Sequence, residues 1–218
     1  MQLLFLSTWY PYPPDNGSKI RAYHLLKALA RRHEVTVAAF HPDSKPAALP
    51  SDLEGICIHP VQADPYHFVN APQWARFASP IPLAYWPSRE MRAALTSLCV
   101  AHTWDAVIAV QTPVARYALM VPNVPRVLEV DTSLSFQMHE RFAQQHGGLA
   151  SMRAWASWKK TELYERRVFR RFGTCTIVSR AELELIKSML GRAGTKLEVV
   201  PNGMDCQHNR PIYPHAPY

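Results

Sequence analysis

Residues 10–21 (YPYPPDNGSKIR) contain the residue types that bind anions in proteins. A proline-rich stretch leads into an Asn-Gly-Ser turn, and two basic side chains follow the turn. If a helix begins there, its free backbone N–H groups and the positive end of its dipole favour a phosphate. A plain turn with a serine cap is the alternative, and neither G-x-G-x-x-G nor a P-loop is present. The residues predicted here to bind a phosphate or another ligand are Asn16, Gly17, Ser18, Lys19 and Arg21.

Two candidate catalytic residues follow short apolar runs further along the chain. Asp131 comes directly after RVLEV, and a carboxylate there can orient a hydroxyl group of a ligand. An Asx turn or a helix cap is the structural alternative. Gln111 follows DAVIAV, with Thr112 beside it as a further predicted binding residue. Gln111 either hydrogen-bonds the same hydroxyl or is a polar residue at a strand end. Glu129, inside RVLEV, must pair with an arginine or lie where the strand is exposed.

Two later turns add to the predicted site. Ser179 and Glu182 have the spacing of a capping box, which predicts a helix directly after TCTIV. The run LEVV continues into Pro-Asn-Gly, which is a turn signal. The residues predicted to bind a ligand in these turns are Ser179, Arg180, Asn202 and Gly203.

Seven short runs that are apolar on both faces alternate with helical patterns. Such runs are typical of parallel strands covered by helices, which predicts an α/β, Rossmann-like three-layer sandwich with a mostly parallel sheet. A ligand then lies outside the carboxyl ends of the strands, where the candidate residues would meet. The predicted strands are residues 3–7, 34–40, 56–59, 105–110, 126–130, 174–178 and 197–200. The predicted helices are residues 18–32, 89–102, 114–120, 151–172 and 179–190.

Three features together resemble the N-terminal domain of a family 4 (group 1) glycosyltransferase, which is one half of the GT-B fold. They are the strand–loop–glycine–helix opening with Arg21 in its helix, the HEVTV strand that follows, and VPNGMD after the capped helix. The resemblance spans about residues 2–205, and the opening is most similar to bacterial sugar transferases. Many members have two adjacent glycines where Gly17 and Ser18 stand, and many have a histidine near the position of Gln111.

The resemblance implies half of a two-domain enzyme that transfers a sugar from a nucleotide-diphosphate sugar to a hydroxyl acceptor, with retention of configuration. It implies an acceptor-side domain at residues 1–205, a linker-like tail at 206–218, and a donor-binding domain that is absent or separately encoded. The chain alone is then expected to be inactive. No tightly bound cofactor and no metal are expected. The expected partners are the donor domain and a sugar or lipid-linked acceptor, as in polysaccharide biosynthesis.

The segment from Met152 to Phe172 is strongly basic and carries two tryptophans, which suggests peripheral contact with a membrane. On a helical wheel, the apolar residues of its first half lie roughly opposite those of its second half. This favours the alternative of a helix that is packed in the fold with a solvated basic side. Residues 65–87 are rich in proline and aromatic residues. They are expected to form a short helix with extended flanks, either as an acceptor-binding wall or as a lid over the local core.

The composition excludes several classes of protein. With 48% hydrophobic and 19% charged residues among 218, the chain is neither disordered nor fibrous. No apolar run approaches the ~20 residues of a membrane-spanning helix. The cysteines (Cys57, Cys99, Cys175 and Cys206) and the scattered histidines lack the spacing of a metal site. Thiols of this kind predict a cytoplasmic protein, at the inner face of the membrane if the basic segment binds there.

Other interpretations stay open from sequence alone. A net charge of +7 permits phosphorylated partners, but no nucleic acid is expected. A non-catalytic binding or membrane-recruitment module of Rossmann-like fold is one alternative, and half of a nucleotide-sugar epimerase is another. The crevice surface could also pair two copies of the chain as a homodimer.

Overall fold

A single parallel sheet forms the centre of the molecule in the computed structural model, which describes residues 1–43, 48–66, 79–144, 147–192 and 194–203. The strands are β1 (Gln2–Ser7), β2 (Glu34–Phe40), β3 (Cys57–Val61), β4 (Ala106–Val110), β5 (Arg126–Glu129), β6 (Thr174–Ile177) and β7 (Lys196–Val199). Their order across the sheet is β3-β2-β1-β4-β5-β6-β7, and each neighbouring pair is parallel. The chain therefore adds β2 and β3 towards one edge of the sheet and β4 to β7 towards the other edge, and the change occurs between β1 and β4.

Helices cover both faces of this sheet. They are α1 (Gly17–Ala30), α2 (Arg89–Ala101), α3 (Thr112–Ala118), α4 (Leu134–Ala143), α5 (Gly148–Phe169) and α6 (Arg180–Leu190). Short 3-10 helices occur at Ser51–Leu53 and Leu83–Tyr85.

The hydrophobic core has two parts because successive strand side chains point to opposite faces of the sheet. Leu4 and Leu6 of β1 pack into the part formed with α2, α3, α5 and α6. Leu3 and Phe5 point the other way and pack against Leu26 of α1. The predicted three-layer α/β fold is confirmed, and the sheet is parallel in every described pairing.

The predicted strands all exist within two residues of their expected bounds, and the predicted helices within three. Helix α4 was not predicted from the sequence. Its buried residue is Ser135 rather than a stripe of large apolar residues, so hydrophobic periodicity does not reveal it. Hydrogen bonds and aromatic contacts to α5 hold it instead.

Two predicted helix starts need correction. Thr112 is already helical in α3, and Gln111 takes the N-cap position with φ 76° and no side-chain cap bond. Its side-chain amide bonds Asp131 instead. At α6, Ser179 Oγ accepts from Glu182 N at 3.2 Å as predicted. The Glu182 carboxylate does not close the capping box, since it accepts from Ser133 N at 2.5 Å.

Helices α4 and α5 form an antiparallel hairpin. Ser133 and Ser135, at the start of α4, contact Glu165 near the end of α5. Further along α4, His139 packs on Trp158 with ring centroids 4.6 Å apart. As α4 proceeds, its contacts on α5 move towards the beginning of α5. The hairpin therefore extends past the carboxyl ends of the strands.

None of the helices in the described ranges is both long enough and apolar enough to span a lipid bilayer.

Candidate functional site

A crevice opens at the carboxyl ends of β1 and β4, which are the neighbouring strands between which the strand order changes direction. Parallel α/β sheets bind ligands at such a point. The cavity there measures about 350 Å³. Loops after β1, β4 and β5 and the first turns of α1, α3 and α4 line it. Its lining residues are Trp9, Ser18, Tyr66, Tyr85, Gln111, Thr112, Pro113, Asp131, Thr132, Leu134 and Gln137.

The carboxylate of Asp131 joins three of these segments. Asp131 Oδ2 accepts a 2.6 Å hydrogen bond from Ser18 Oγ at the start of α1 and a 2.9 Å bond from Gln111 Nε2 after β4. Asp131 and Gln111 both have positive φ, at 58° and 76°. Such backbone costs about 1–3 kcal/mol at a non-glycine residue and is concentrated at functional sites. Among the described residues, no hydrogen bond reaches Asp131 Oδ1, so this oxygen can accept from a ligand.

A second network lies directly behind Asp131. Arg21 Nε donates to Glu129 Oε1 at 2.7 Å, and their side chains are 11% and 5% exposed. Thr176 on β6 donates its hydroxyl to Glu129 Oε2. The same Arg21 guanidinium donates to Val200 O at 2.8 Å and to Asn202 Oδ1 at 2.9 Å. The buried Glu129 carboxylate is therefore paired with an arginine, which is one of the two arrangements expected from the sequence.

The first turn of α1 is arranged differently from the simple serine cap. Asn16 is the N-cap and accepts from Lys19 N at 3.0 Å through its side chain. Lys19 Nζ lies 2.9 Å from Asp15 at the surface. A Cβ added to Gly17 would meet nothing within 4 Å. The space beside Gly17 in the first turn of α1 is therefore open, and an anion there would lie near the positive end of the helix dipole.

An aromatic pair forms part of the crevice wall. The rings of Trp9 and Tyr66 lie 5.4 Å apart and are tilted by 41°. Desolvation, together with the negative charges of Asp131 and Asp64, raises the pKa of Tyr66 to about 12, although part of the ring remains exposed. The Tyr66 hydroxyl therefore stays protonated at neutral pH. Tyr85, which also belongs to the predicted wall at residues 65–87, lines the cavity from the 3-10 helix Leu83–Tyr85. Residues 67–78 of that wall lie outside the described residues.

A fully buried glutamate supports the floor of the crevice, and sequence reasoning missed it. Glu165 of α5 accepts hydrogen bonds from Tyr85 Oη at 2.5 Å, Ser133 Oγ at 2.7 Å and Ser135 Oγ at 2.5 Å. It also accepts from the backbone N–H of Leu134 at 3.0 Å. Burial raises the pKa of Glu165, and these hydrogen bonds oppose the increase. Glu165 thus acts as the acceptor for the first N–H groups of α4.

The predicted binding residues divide into two groups. Ser18, Gln111, Thr112 and Asp131 line one cavity together, while the other predicted residues are not among those that line it. Ser179 caps α6, and Arg180 after it is exposed. Asn202 binds Arg21, and Gly203 is exposed at the end of the described chain. Met204, Asp205 and the tail at 206–218 lie outside the described residues.

Comparison with protein families decides the class of protein. The family model described as Glycosyltransferase Family 4 matches residues 15–208, which is most of the chain. The chain belongs to glycosyltransferase family 4. No curated protein sequence matches it.

Solved structures agree with this family 4 fold. A sucrose-phosphate synthase from Thermosynechococcus elongatus superposes with TM-score 0.63 and 13% identity, over 95% of this chain and 49% of that one. A second structure of that synthase, cut to fewer residues, gives TM-score 0.56 and 10% identity, over 95% and 92% of the two chains. This family 4 chain therefore spans about half the length of the first synthase structure. The likeness shows a shared GT-B fold.

Several carboxylates lie in or behind this family 4 crevice. Burial raises the pKa of Glu182, and the negative charges of Glu165, Asp131 and Glu129 add to the increase. Among the residues that the structure describes, no group of three or more His, Cys, Asp or Glu side chains could hold a metal ion. The arrangement is suited to accepting hydrogen bonds from hydroxyl groups.

Proposed function

We propose that this chain is the acceptor-side half of a nucleotide-sugar-dependent glycosyltransferase. The observation that carries the proposal is the Asp131 carboxylate, which Ser18 and Gln111 hold by one oxygen while the residue lines the cavity. A carboxylate oxygen in this position accepts a hydrogen bond from a hydroxyl nucleophile and orients it. The family 4 assignment supports glycosyl transfer as the reaction class.

The acceptor in this proposal is a sugar, either free or linked to a lipid. The Trp9 and Tyr66 rings offer apolar faces on which a sugar ring can pack, and Gln137 of α4 adds a polar side chain to the same cavity. Asp131 and Gln111 then hold the reacting hydroxyl. The role of each residue is orientation of the acceptor rather than covalent catalysis.

The donor in this proposal is a nucleotide-diphosphate sugar held mainly by a second domain. The open N-terminus of α1 at Gly17 is the proposed contact of this chain with the donor diphosphate. Stabilisation of the leaving group by helix N-termini is electrostatic and requires no metal cluster. The 218-residue chain alone is therefore proposed to bind acceptor without turning over the donor.

Saturation-transfer NMR with a panel of uncharged mono- and disaccharides tests the acceptor role. We expect at least one saccharide to bind the chain, and Asp131→Ala to weaken that binding by tenfold or more. Asp105→Ala is the matched control, because Asp105 precedes β4 at the opposite end of the strands and bonds Gln2 N at 2.7 Å.

Equal binding by the wild type and Asp131→Ala would exclude the proposed acceptor site. A separate assay follows hydrolysis of a nucleotide-diphosphate sugar by the chain. Rapid multiple-turnover hydrolysis would contradict the assignment of donor chemistry to a second domain.

A further inference from the structure

The outer face of α5 is apolar and exposed over its first half. Leu149 is 74% exposed, Met152 68% and Trp155 50%. These residues recur every third position, so their side chains lie along one side of the helix. Leu163 continues the same side and is also exposed. Large apolar side chains exposed in such a row mark an interaction surface.

The hairpin of α4 and α5 places this surface beside the crevice. Met152 precedes Glu165 by more than three helical turns, which is roughly 20 Å at about 1.5 Å per residue. Glu165 itself lies against Ser133, just beyond the carboxyl end of β5. Leu134 and Gln137, on the partner helix α4, line the cavity. The exposed apolar residues therefore project past the strand ends on the side where the cavity opens.

Positive charge surrounds the same face. Arg153 flanks the apolar row, and Arg166 and Arg167 continue the outer face towards the end of α5; all three are exposed. In the described parts of the chain, the ion pair recorded on α5 is Lys159 with Glu162. Within those parts, the three arginines therefore have no carboxylate at salt-bridge distance, and their charge is available to an anionic partner.

We propose that the outer face of α5 docks on an anionic membrane surface. Leu149, Met152 and Trp155 would enter the boundary between headgroups and acyl chains, and the arginines would contact lipid phosphates. A helix lying in the interface requires this combination of an apolar row with flanking basic residues. Tryptophan favours that boundary because its ring is apolar and its N–H is polar.

An anionic bilayer explains the surface better than a second protein. Apart from Glu162, which pairs with Lys159, the charge that flanks the row is positive and extends along the helix beyond the apolar residues, which matches a continuous plane of negative charge. Docking would turn the crevice towards the membrane, within reach of a lipid-linked acceptor. Only that consequence depends on the proposed glycosyl transfer, because membrane docking is measured without any sugar.

Vesicle flotation with the full 218-residue chain tests the proposal. The vesicles contain phosphatidylglycerol and phosphatidylcholine in equal parts, or phosphatidylcholine alone, at about 50 mM and at about 500 mM NaCl. We expect binding to the anionic vesicles at low salt, with at least tenfold weaker binding at high salt or without the anionic lipid. Exposed charges are screened within about 10 Å at 0.1 M salt.

Two sets of variants separate the apolar and the basic contributions. Met152→Ser with Trp155→Ser should weaken binding at least tenfold, and Val100→Ser is its control because Val100 is 85% exposed on α2. Arg153→Gln with Arg166→Gln and Arg167→Gln should weaken binding about a hundredfold, at roughly fivefold for each arginine near an anionic surface. Arg31→Gln with Arg32→Gln is the charge control, at the opposite end of the sheet.

Circular dichroism establishes that each variant is folded, which is expected because the changed residues are exposed. No flotation at low salt would overturn the proposal, as would equal flotation by the wild type and both sets of variants. Analytical ultracentrifugation without lipid gives a further outcome. A dimer that disappears in Met152→Ser with Trp155→Ser would assign the surface to a second copy of the chain and would also overturn membrane docking.

Discussion

Arg21 and Glu129 form a buried ion pair that joins α1 to the centre of the sheet and to the segment after β7. Arg21 Nε lies 2.7 Å from Glu129 Oε1, although the two residues are 108 positions apart in the chain. The remaining guanidinium nitrogens bind Val200 and Asn202. The conformation of the chain beyond β7 is therefore coupled to the crevice through one side chain.

Removal of Arg21 should destabilise the fold strongly. In Arg21→Ala, Glu129 keeps its bond from Thr176 but loses its only ion-pair partner among the described residues. Breaking a buried pair by removing one partner costs about 3–5 kcal/mol. We expect the free energy of unfolding in urea to fall by about that amount. Lys19→Ala is the control, because its pair with Asp15 is at the surface and is worth roughly 1 kcal/mol or less.

The double variant Arg21→Met with Glu129→Gln distinguishes the unpaired charge from lost packing. It should recover part of the stability that Arg21→Ala loses, because it leaves no unpaired charge in the interior. Equal losses for Arg21→Ala and Lys19→Ala would show that the ion pair does not stabilise the fold.

Glu165→Gln should also destabilise the protein, through unmatched hydrogen bonds. The donors around Glu165 come from Tyr85, Ser133, Leu134 and Ser135. A glutamine would direct its NH₂ group at some of these donors, and leaving buried polar groups unpaired costs about 1–3 kcal/mol. Thermal unfolding should show a clear decrease in Tm. Glu162→Gln, on the same helix but only half-buried and paired with Lys159, should change Tm less, and a similar Tm for both variants would contradict this role.

Glu182→Gln should change how stability depends on pH. Burial and the negative charges of Glu165, Asp131 and Glu129 raise the pKa of Glu182, and its bond from Ser133 N opposes the increase. The folded protein therefore binds this proton more tightly than the unfolded chain does. Wild-type stability gains from Glu182 as the pH falls through the folded pKa towards the ordinary value of about 4.3, and loses that gain as the pH rises.

A glutamine at this position has no charge at any pH, and its oxygen can still accept from Ser133. We expect Glu182→Gln to be more stable than the wild type at about pH 8, with the difference shrinking as the pH falls to about 5. Urea unfolding across this range measures the difference. Glu184→Gln, which removes an exposed partner of Lys187, should show no such trend. If the difference for Glu182→Gln grows as the pH falls, the pKa of Glu182 is not raised by folding.

The central strands were predictable because each is a short, mainly apolar run that is covered on both faces of the sheet, whereas the edge strands β3 and β7 are only partly buried. The capped start of α6 was predictable for a similarly local reason, since the Ser179 side chain accepts from the N–H group three residues later. Gln111 and Asp131 could be grouped at one crevice because each follows the end of a strand within two residues, and Ser18 because it begins the helix that follows β1. Local patterns of this kind are present in the sequence itself.

The supporting network was not predictable, because its members are far apart in the chain. Tyr85 and Ser133 meet Glu165 across 80 and 32 positions, and no spacing rule connects them. Glu165 lies in a segment whose many charged residues suggest a solvated helix, yet it is fully buried. Helix α4 depends on this glutamate as the acceptor for its first N–H groups. Because the contact with Glu165 could not be predicted, the helix could not be predicted either.

Gly17→Ala separates anion binding from folding. An added methyl group at Gly17 would contact nothing within 4 Å, and the residue has no positive φ that would require glycine. Alanine is about 1 kcal/mol more favourable than glycine inside a helix, so stability in urea should stay level or increase slightly. The methyl group would nevertheless occupy open space beside the first turn of α1, where the diphosphate is proposed to bind. Titration calorimetry with inorganic pyrophosphate should then show at least tenfold weaker binding for Gly17→Ala than for the wild type.

Gly194→Ala is the control, because an added Cβ there also meets nothing and the residue lies before β7, away from the crevice. Pyrophosphate binding that is unchanged in Gly17→Ala, with stability also unchanged, would show that the first turn of α1 does not bind the diphosphate.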